Sequence, residues 1–150
     1  MRALLQRVSS ASVSIDDQTV SSIQHGLLIL LGIEEVDTTD DIDWLCGKIT
    51  RLRIFEDEHG KMNHSIQDTH GEVIVVSQFT LHASTKKGNR PSFLKAAAPA
   101  ISEPLYETFC ISLENELGRN IGRGIFGADM QVSLVNDGPV TIWIDSRDRE

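Results

Sequence analysis

Gly26-Leu27-Leu28-Ile29-Leu30-Leu31-Gly32-Ile33 carries no polar side chain and is rich in β-forming residues. Such a run reads as a strand buried on both faces, because a strand with one wet face would alternate. Val73-Ile74-Val75-Val76 reads the same way. Residues 2–8 do alternate, then run into Ala11-Ser12-Val13-Ser14-Ile15, with Asp16-Asp17-Gln18 as a turn signal. These strands are too closely spaced for a doubly wound sheet with a helix in every connection. The expected fold class is therefore α/β (α+β): an antiparallel or mixed sheet curled toward a barrel, with two helices packed outside.

The first helix is expected after Thr38 or Thr39, either of which can cap it. Asp40 and Asp41 favour its first turn, and Ile42, Leu45, Cys46, Ile49 and Leu52 form one apolar stripe. The second is expected over 102–118, with Ser102 as cap and Gly118 as stop. Its stripe is Leu105, Phe109, Leu113 and Leu117, joined by Ile101 and Cys110. Residues 56–71 are polar and read as a loop or irregular hairpin. Further strands are expected over 124–135 and 140–145, joined at Asn136-Asp137-Gly138-Pro139, since Asp-Gly between alternating runs signals a hairpin.

A chain of 150 residues fits one domain, 1–150, able to bury a real core. Cys46 and Cys110 fall in the expected helices and read as reduced core residues of a cytoplasmic protein. Residues 27–33 are too few to span a bilayer, and the N-terminus, interrupted by Gln6 and Arg7, does not read as a signal peptide. No membrane partner is expected. Net charge is −8, which argues against a nucleic-acid partner until its distribution is considered. Residues 73–102 contain Lys86, Lys87, Arg90 and Lys95 and no acid, so this window is +4 and the remainder −12. One basic rim on an acidic body suits a protein that touches phosphate locally.

Gly122-Arg123-Gly124-Ile125-Phe126-Gly127 has the spacing of a dinucleotide fingerprint. That motif needs a strand before it and a helix after it, and the reverse is expected here, so no nucleotide cofactor is expected. His59, His64 and His70 share a loop with Glu56, Asp57 and Asp68, but their spacing matches no tight ligand pattern, and no metal is expected. Thr80 and His82 are two apart and would share a face of an extended chain, which allows a nucleophile-and-base reading. On that reading the chain is an ester hydrolase acting on a small molecule.

Ser77-Gln78-Phe79-Thr80-Leu81 after a buried strand, then Arg90-Pro91-Ser92-Phe93, then Asn136-Asp137-Gly138-Pro139-Val140-Thr141 together resemble bacterial-type D-aminoacyl-tRNA deacylases. So do Leu5-Gln6-Arg7-Val8, Ala11-Ser12-Val13, Gly26-Leu27-Leu28, Arg53-Ile54-Phe55 and Gly60-Lys61-Met62-Asn63. The likeness runs through nearly the whole chain in order and spacing.

The resemblance implies a homodimer of barrel-like subunits with active sites at the interface, and a substrate that is the 3′ end of tRNA carrying a D-amino acid. It implies a cis Gly138-Pro139 bond inserted into the partner's pocket, where Gly138, Pro139, Val140 and Thr141 act as a chiral gate. It places Ser77, Gln78, Phe79 and Thr80 at the catalytic centre, with the Phe79 and Thr80 N–H groups as oxyanion donors. The substrate's own 2′-hydroxyl assists, and no cofactor is implied. Phe126 and Met130 align with residues lining an adenosine pocket, and Lys86, Lys87 and Arg90 are candidates for tRNA phosphates. One departure stands out: where the family commonly has Thr-Gly before the aromatic residue, this chain has Arg123-Gly124, a cation that could add a phosphate contact or alter the pocket rim. A tRNA-binding module without catalysis is the remaining alternative.

Overall fold

In the computed structural model, which describes residues 1–149, six strands build one twisted, nearly closed mixed sheet with two helices on its outer side, and two short strands form a separate hairpin. Its spine is β1, Arg2–Ile15. Asp16 and Asp17, both at positive φ, turn the chain into β2, Gln18–Ile23, which pairs antiparallel with the second half of β1. β3, Gly26–Gly32, pairs antiparallel with the first half.

The chain then leaves the sheet through α1, Thr39–Arg51, whose first turn is closed by Asp41 accepting from the Thr38 N–H at 2.9 Å. A small hairpin follows, β4 (Phe55–Glu56) with β5 (Met62–His64). β6, Glu72–Ser77, returns parallel to β3, so the two apolar runs lie side by side in the middle of the sheet. Both are covered on both faces, as expected. Leu27, Ile29, Leu31, Val73 and Val75 face the helices and pack with Ile42, Leu45, Phe109 and Leu113. Leu28, Ile74 and Val76 face the other way, into the barrel, with Val8, Val13 and Ile23. Cys46 and Cys110 are free thiols of the helix layer, each pushed up to about 12 by burial.

Three boundaries differ from the sequence reading. The second helix, α2, spans Pro99–Leu117 and is capped by Ala98, not Ser102. Pro99 at its first position needs no N–H partner, and the Ser102 hydroxyl donates back to the Ala98 carbonyl from inside the helix. Gly118, in the left-handed conformation, ends it as expected. In place of a strand over 124–135 there is a two-residue strand β7, Gly122–Arg123, then irregular chain to residue 130.

The third difference concerns β8, Gln131–Asp145, which is one strand and not the two arms of a hairpin. Its two halves lie against β1 in the same direction: Ser10 pairs with Val135 and Val8 with Asn136, then Gln6 with Thr141. The intervening residues bulge out opposite Arg7. Asp-Gly turns a chain back only when the following run can pair with the preceding one, and here β1 offers both runs a better partner. The Asn136 side chain closes the bulge, accepting from the Val140 N–H at 2.7 Å and donating to the Thr141 hydroxyl at 3.0 Å. Within the bulge the Gly138-Pro139 peptide bond is cis, as the resemblance implied.

Candidate active site

β6 delivers its last residues to a groove of about 600 Å³. Ser77 is paired with Leu31, and the Gln78 N–H still donates to the Leu31 carbonyl at 2.7 Å. There the ladder ends, and Phe79–His82 form a single 3-10 turn, with Leu81 N donating to Gln78 O and Ala83 N to Thr80 O. The first N–H groups of such a turn have no acceptor within it. Those of Phe79 and Thr80 find no main-chain carbonyl elsewhere among the described residues. Two successive main-chain donors are thus left unpaired, the first of them on Phe79, which lines the groove.

The groove is mostly apolar. Leu31, Val76, Ser77, Gln78 and Phe79 line one side, and Phe126, Met130 and Val132 another. Phe126 is held by Tyr106 of α2, ring centres 5.9 Å apart, while the Tyr106 hydroxyl, its ionisation pushed up by burial, donates to the Val75 carbonyl at 2.9 Å. The site residues expected from residues 77–79, together with Phe126 and Met130, therefore meet around one cavity. The third wall is Phe93, Ala96, Ala97, Pro99 and Ser102, to none of which the sequence reading assigns a place in the site. Arg90-Pro91-Ser92-Phe93 was noticed for its likeness alone, and that was the available signal. Phe79, 56% exposed, and Phe93 meet edge to face with centres 5.0 Å apart, so the wet aromatic of the turn has a partner from the loop above it.

That loop carries the basic rim. Ser84 and Ser92 exchange two main-chain hydrogen bonds, 2.8 and 2.9 Å, which pinch off a tip bearing Lys86, Lys87 and Arg90. All three are exposed and, among the described residues, in no ion pair. The cations thus rise from the same loop whose base forms the groove wall.

Thr80 and His82 do not face one another. A 3-10 turn does not keep alternate residues on one face. Thr80 is exposed and its hydroxyl accepts from the Gln78 side-chain amide at 2.5 Å. His82 points inward, fully covered, with Nδ1 2.9 Å from Glu34 Oε1. Arg123 also departs from the expected phosphate role: its guanidinium is forked between Glu107 (2.8 Å) and Glu114 (2.7 Å) of α2. In the 56–71 loop, Asp57 and Asp68 accept from the loop's own donors, chiefly the Asn63 side chain and the Ser65 N–H. Those bonds hold both carboxyls below their usual range.

Gly138 and Pro139 do not line this groove. Their bulge stands opposite Arg7, which pairs with Leu27, whereas Ser77 pairs with Leu31 on β3. The bulge thus lies four residues along β3 and three strands across from Ser77, separated from the groove of the same chain.

The family model described as D-Tyr-tRNA(Tyr) deacylase matches residues 4–145. D-aminoacyl-tRNA deacylases of Flavobacterium johnsoniae and Bacteroides thetaiotaomicron are 62% and 63% identical over 150 residues, all of both chains. A solved structure described as the c-Myc DNA unwinding element binding protein is 42% identical, with a TM-score of 0.90 over 97% of this chain and 98% of that one. With its barrel, its groove beside residues 77–80 and a full-length match of this order, the chain belongs to the D-Tyr-tRNA(Tyr) deacylase family.

Proposed function

We propose that this chain hydrolyses the ester bond of D-aminoacyl-tRNA, and to some degree of glycyl-tRNA, releasing free tRNA and the amino acid. The observation that supports the reading most is the pair of free main-chain donors, Phe79 and Thr80, at the edge of an apolar groove. An aminoacyl ester is already activated. Hydrolysis needs stabilisation of the tetrahedral oxyanion and a positioned attacker more than it needs a protein nucleophile. Water adds to the ester carbonyl, the oxyanion lies against the two N–H groups, and the bond to the ribose 3′-oxygen breaks as that oxygen regains a proton. The neighbouring 2′-hydroxyl is the assisting group. Phe126 and Met130 hold the terminal adenosine, and Lys86, Lys87 and Arg90 meet acceptor-stem phosphates.

Chirality is read by Gly138, Pro139, Val140 and Thr141 of a second copy of the chain in a homodimer. The distance between bulge and groove within one chain favours this arrangement. Main-chain atoms held close to the substrate's α-carbon exclude the side chain of an L-amino acid, and specificity arises from that clash. Glycine has no Cβ to exclude and is accepted.

The test is hydrolysis of matched D- and L-aminoacyl-tRNA pairs by the parent, Pro139→Ala and Thr80→Ala. The expected result is cleavage of the D ester alone by the parent, relaxed selectivity in Pro139→Ala, and substantial activity in Thr80→Ala. Equal cleavage of both hands by the parent would overturn the chiral reading. Complete loss in folded Thr80→Ala would restore a side-chain nucleophile, and tRNA binding without cleavage would leave only a binding module.

A further inference from the structure

His82 closes the 3-10 turn whose first two N–H groups are the proposed oxyanion donors, and its imidazole is buried with a side-chain exposure of 0%. Its Nδ1 lies 2.9 Å from Glu34 Oε1, yet neither ring nitrogen has a hydrogen-bond partner of good geometry. The opposite edge of the ring faces Gly32 so closely that a Cβ there would stand 3.0 Å from His82 Cδ2, His82 Nε2 and Leu81 Cβ. A buried imidazole with one carboxylate beside it and a glycine behind it has little freedom to turn.

Glu34 is fixed from several directions. Its N–H donates to Asp37 Oδ2 at 2.7 Å and its carbonyl accepts from Asp37 N at 3.1 Å, forming a tight turn after β3. Its backbone bridges to Ala96 in the basic loop, and the next residue of that loop, Ala97, donates to the Ile33 carbonyl at 2.9 Å. Glu34 therefore touches the loop wall of the groove through its main chain and the donor turn through its side chain. The Phe79–Phe93 ring contact is the other link between these two parts, made from the groove side, whereas His82 and Glu34 link them from the buried side.

We propose that His82 and Glu34 form a positioning pair that sets the angle of the Phe79 and Thr80 N–H groups relative to the loop wall holding Phe93. His82 is a positioning residue: it reaches no substrate atom and acts through the turn it terminates. The proposal rests on the deacylase reading above, in which those two N–H groups face the oxyanion.

The test compares His82→Leu, His82→Asn and Glu34→Gln with the parent, using D-tyrosyl-tRNA turnover, the backbone 1H–15N resonances of Phe79 and Thr80, and thermal melting. Loss of a well-aimed oxyanion donor costs about 10²-fold or more, and a tilted one costs less. His82→Leu is therefore expected to lower kcat about tenfold with KM unchanged within about twofold. The Phe79 and Thr80 resonances move with it. His82→Asn, whose amide can still donate toward Glu34, restores most of kcat and returns both resonances. If His82→Leu does not fold, Glu34→Gln reads the same two amides with the imidazole intact. Unmoved resonances in the folded variants overturn the pairing. So does a loss of kcat that His82→Asn fails to recover and that tracks the melting temperature. Resonances that move without any change in kcat uphold the pairing and overturn the oxyanion role of the two amides.

Discussion

Arg7 is tied to Asp137 across the widest gap in the β1–β8 ladder: its Nε donates to the Asp137 carbonyl oxygen at 2.8 Å from a side chain only 4% exposed. The same guanidinium donates through Nη1 to the Ile54 carbonyl at 2.7 Å. Arg7 therefore supplies, from the side, the donor that the bulged backbone has lost.

Replacing Arg7 with Met keeps much of the volume and removes both donors. Abandoning the buried Ile54 carbonyl costs roughly 1–3 kcal/mol and the part-buried Asp137 carbonyl less, so a loss of about 2–4 kcal/mol is expected in urea unfolding. The bulge at Asp137 also loses its tie, and the ratio of D- to L-aminoacyl-tRNA cleavage should fall. Unchanged stability with unchanged selectivity would mean that the bulge holds itself.

Gly138 sits at φ +139, where an L side chain is strained, and a Cβ there would meet Val140 Cγ2 at 2.8 Å and Arg7 Nη2 at 3.1 Å. Gly138→Ala should cost on the order of 1–3 kcal/mol. Because the clash falls on Val140 and Arg7, neither of which lines the groove, the groove should survive, with binding of uncharged tRNA retained and chiral selectivity reduced. Equilibrium binding beside D/L turnover separates the two effects.

Lys86 and Lys87 stand on a pinched loop tip and, among the described residues, have no acidic partner in an ion pair. If both meet phosphate, Lys86→Glu with Lys87→Glu raises KM, and the slope of log affinity against log salt drops by about 2. A titration of turnover between low and moderate salt checks this. A slope identical to the parent's would make the tip a solvated loop.

Burial pushes the Asp145 carboxyl up, but the Arg2 guanidinium at 2.8 Å and the Arg147 N–H at 3.0 Å outweigh it and hold the group below its usual range. A carboxyl depressed by folding stabilises above its unfolded value, about 3.9, and that contribution disappears as pH falls through the lower folded value. Asp145→Asn should therefore cost about 1 kcal/mol at pH 7, given partial exposure and screening, and progressively less as pH falls from the unfolded value through the folded one. Urea midpoints across that range give the answer. An equal cost at both ends would assign the loss to packing.

Periodicity was enough to find what periodicity controls. Residues 26–33 and 73–76 are apolar without a break because sheet neighbours and two packed layers cover both faces, and the 3.6-residue stripe of α1 sits where its caps predict. Partner choice was not visible. Nothing within residues 131–145 says that their two halves share β1 instead of each other, because that depends on the length of β1 and on Arg7 filling the gap. The start of α2 was misplaced because a serine looked like a cap, whereas Pro99 needed none. At the site, residues 77–80 and 126–130 were legible as motifs. The direction of His82 was not, since it follows from the ladder ending at Gln78 and the chain winding into a 3-10 turn.

β1 and β8 lie at opposite ends of the sequence yet share one ladder. During synthesis the outer edge of β1 must remain a bare row of amide and carbonyl groups until residues 131–145 have emerged. Every earlier strand can already be in place by then, so the nascent chain passes through a stage that is almost complete and open along one side. Such an edge invites pairing with other chains, and contacts this distant in sequence form slowly. The emergence of residues 131–145 is therefore the step at which this protein either seals its barrel or meets a chaperone.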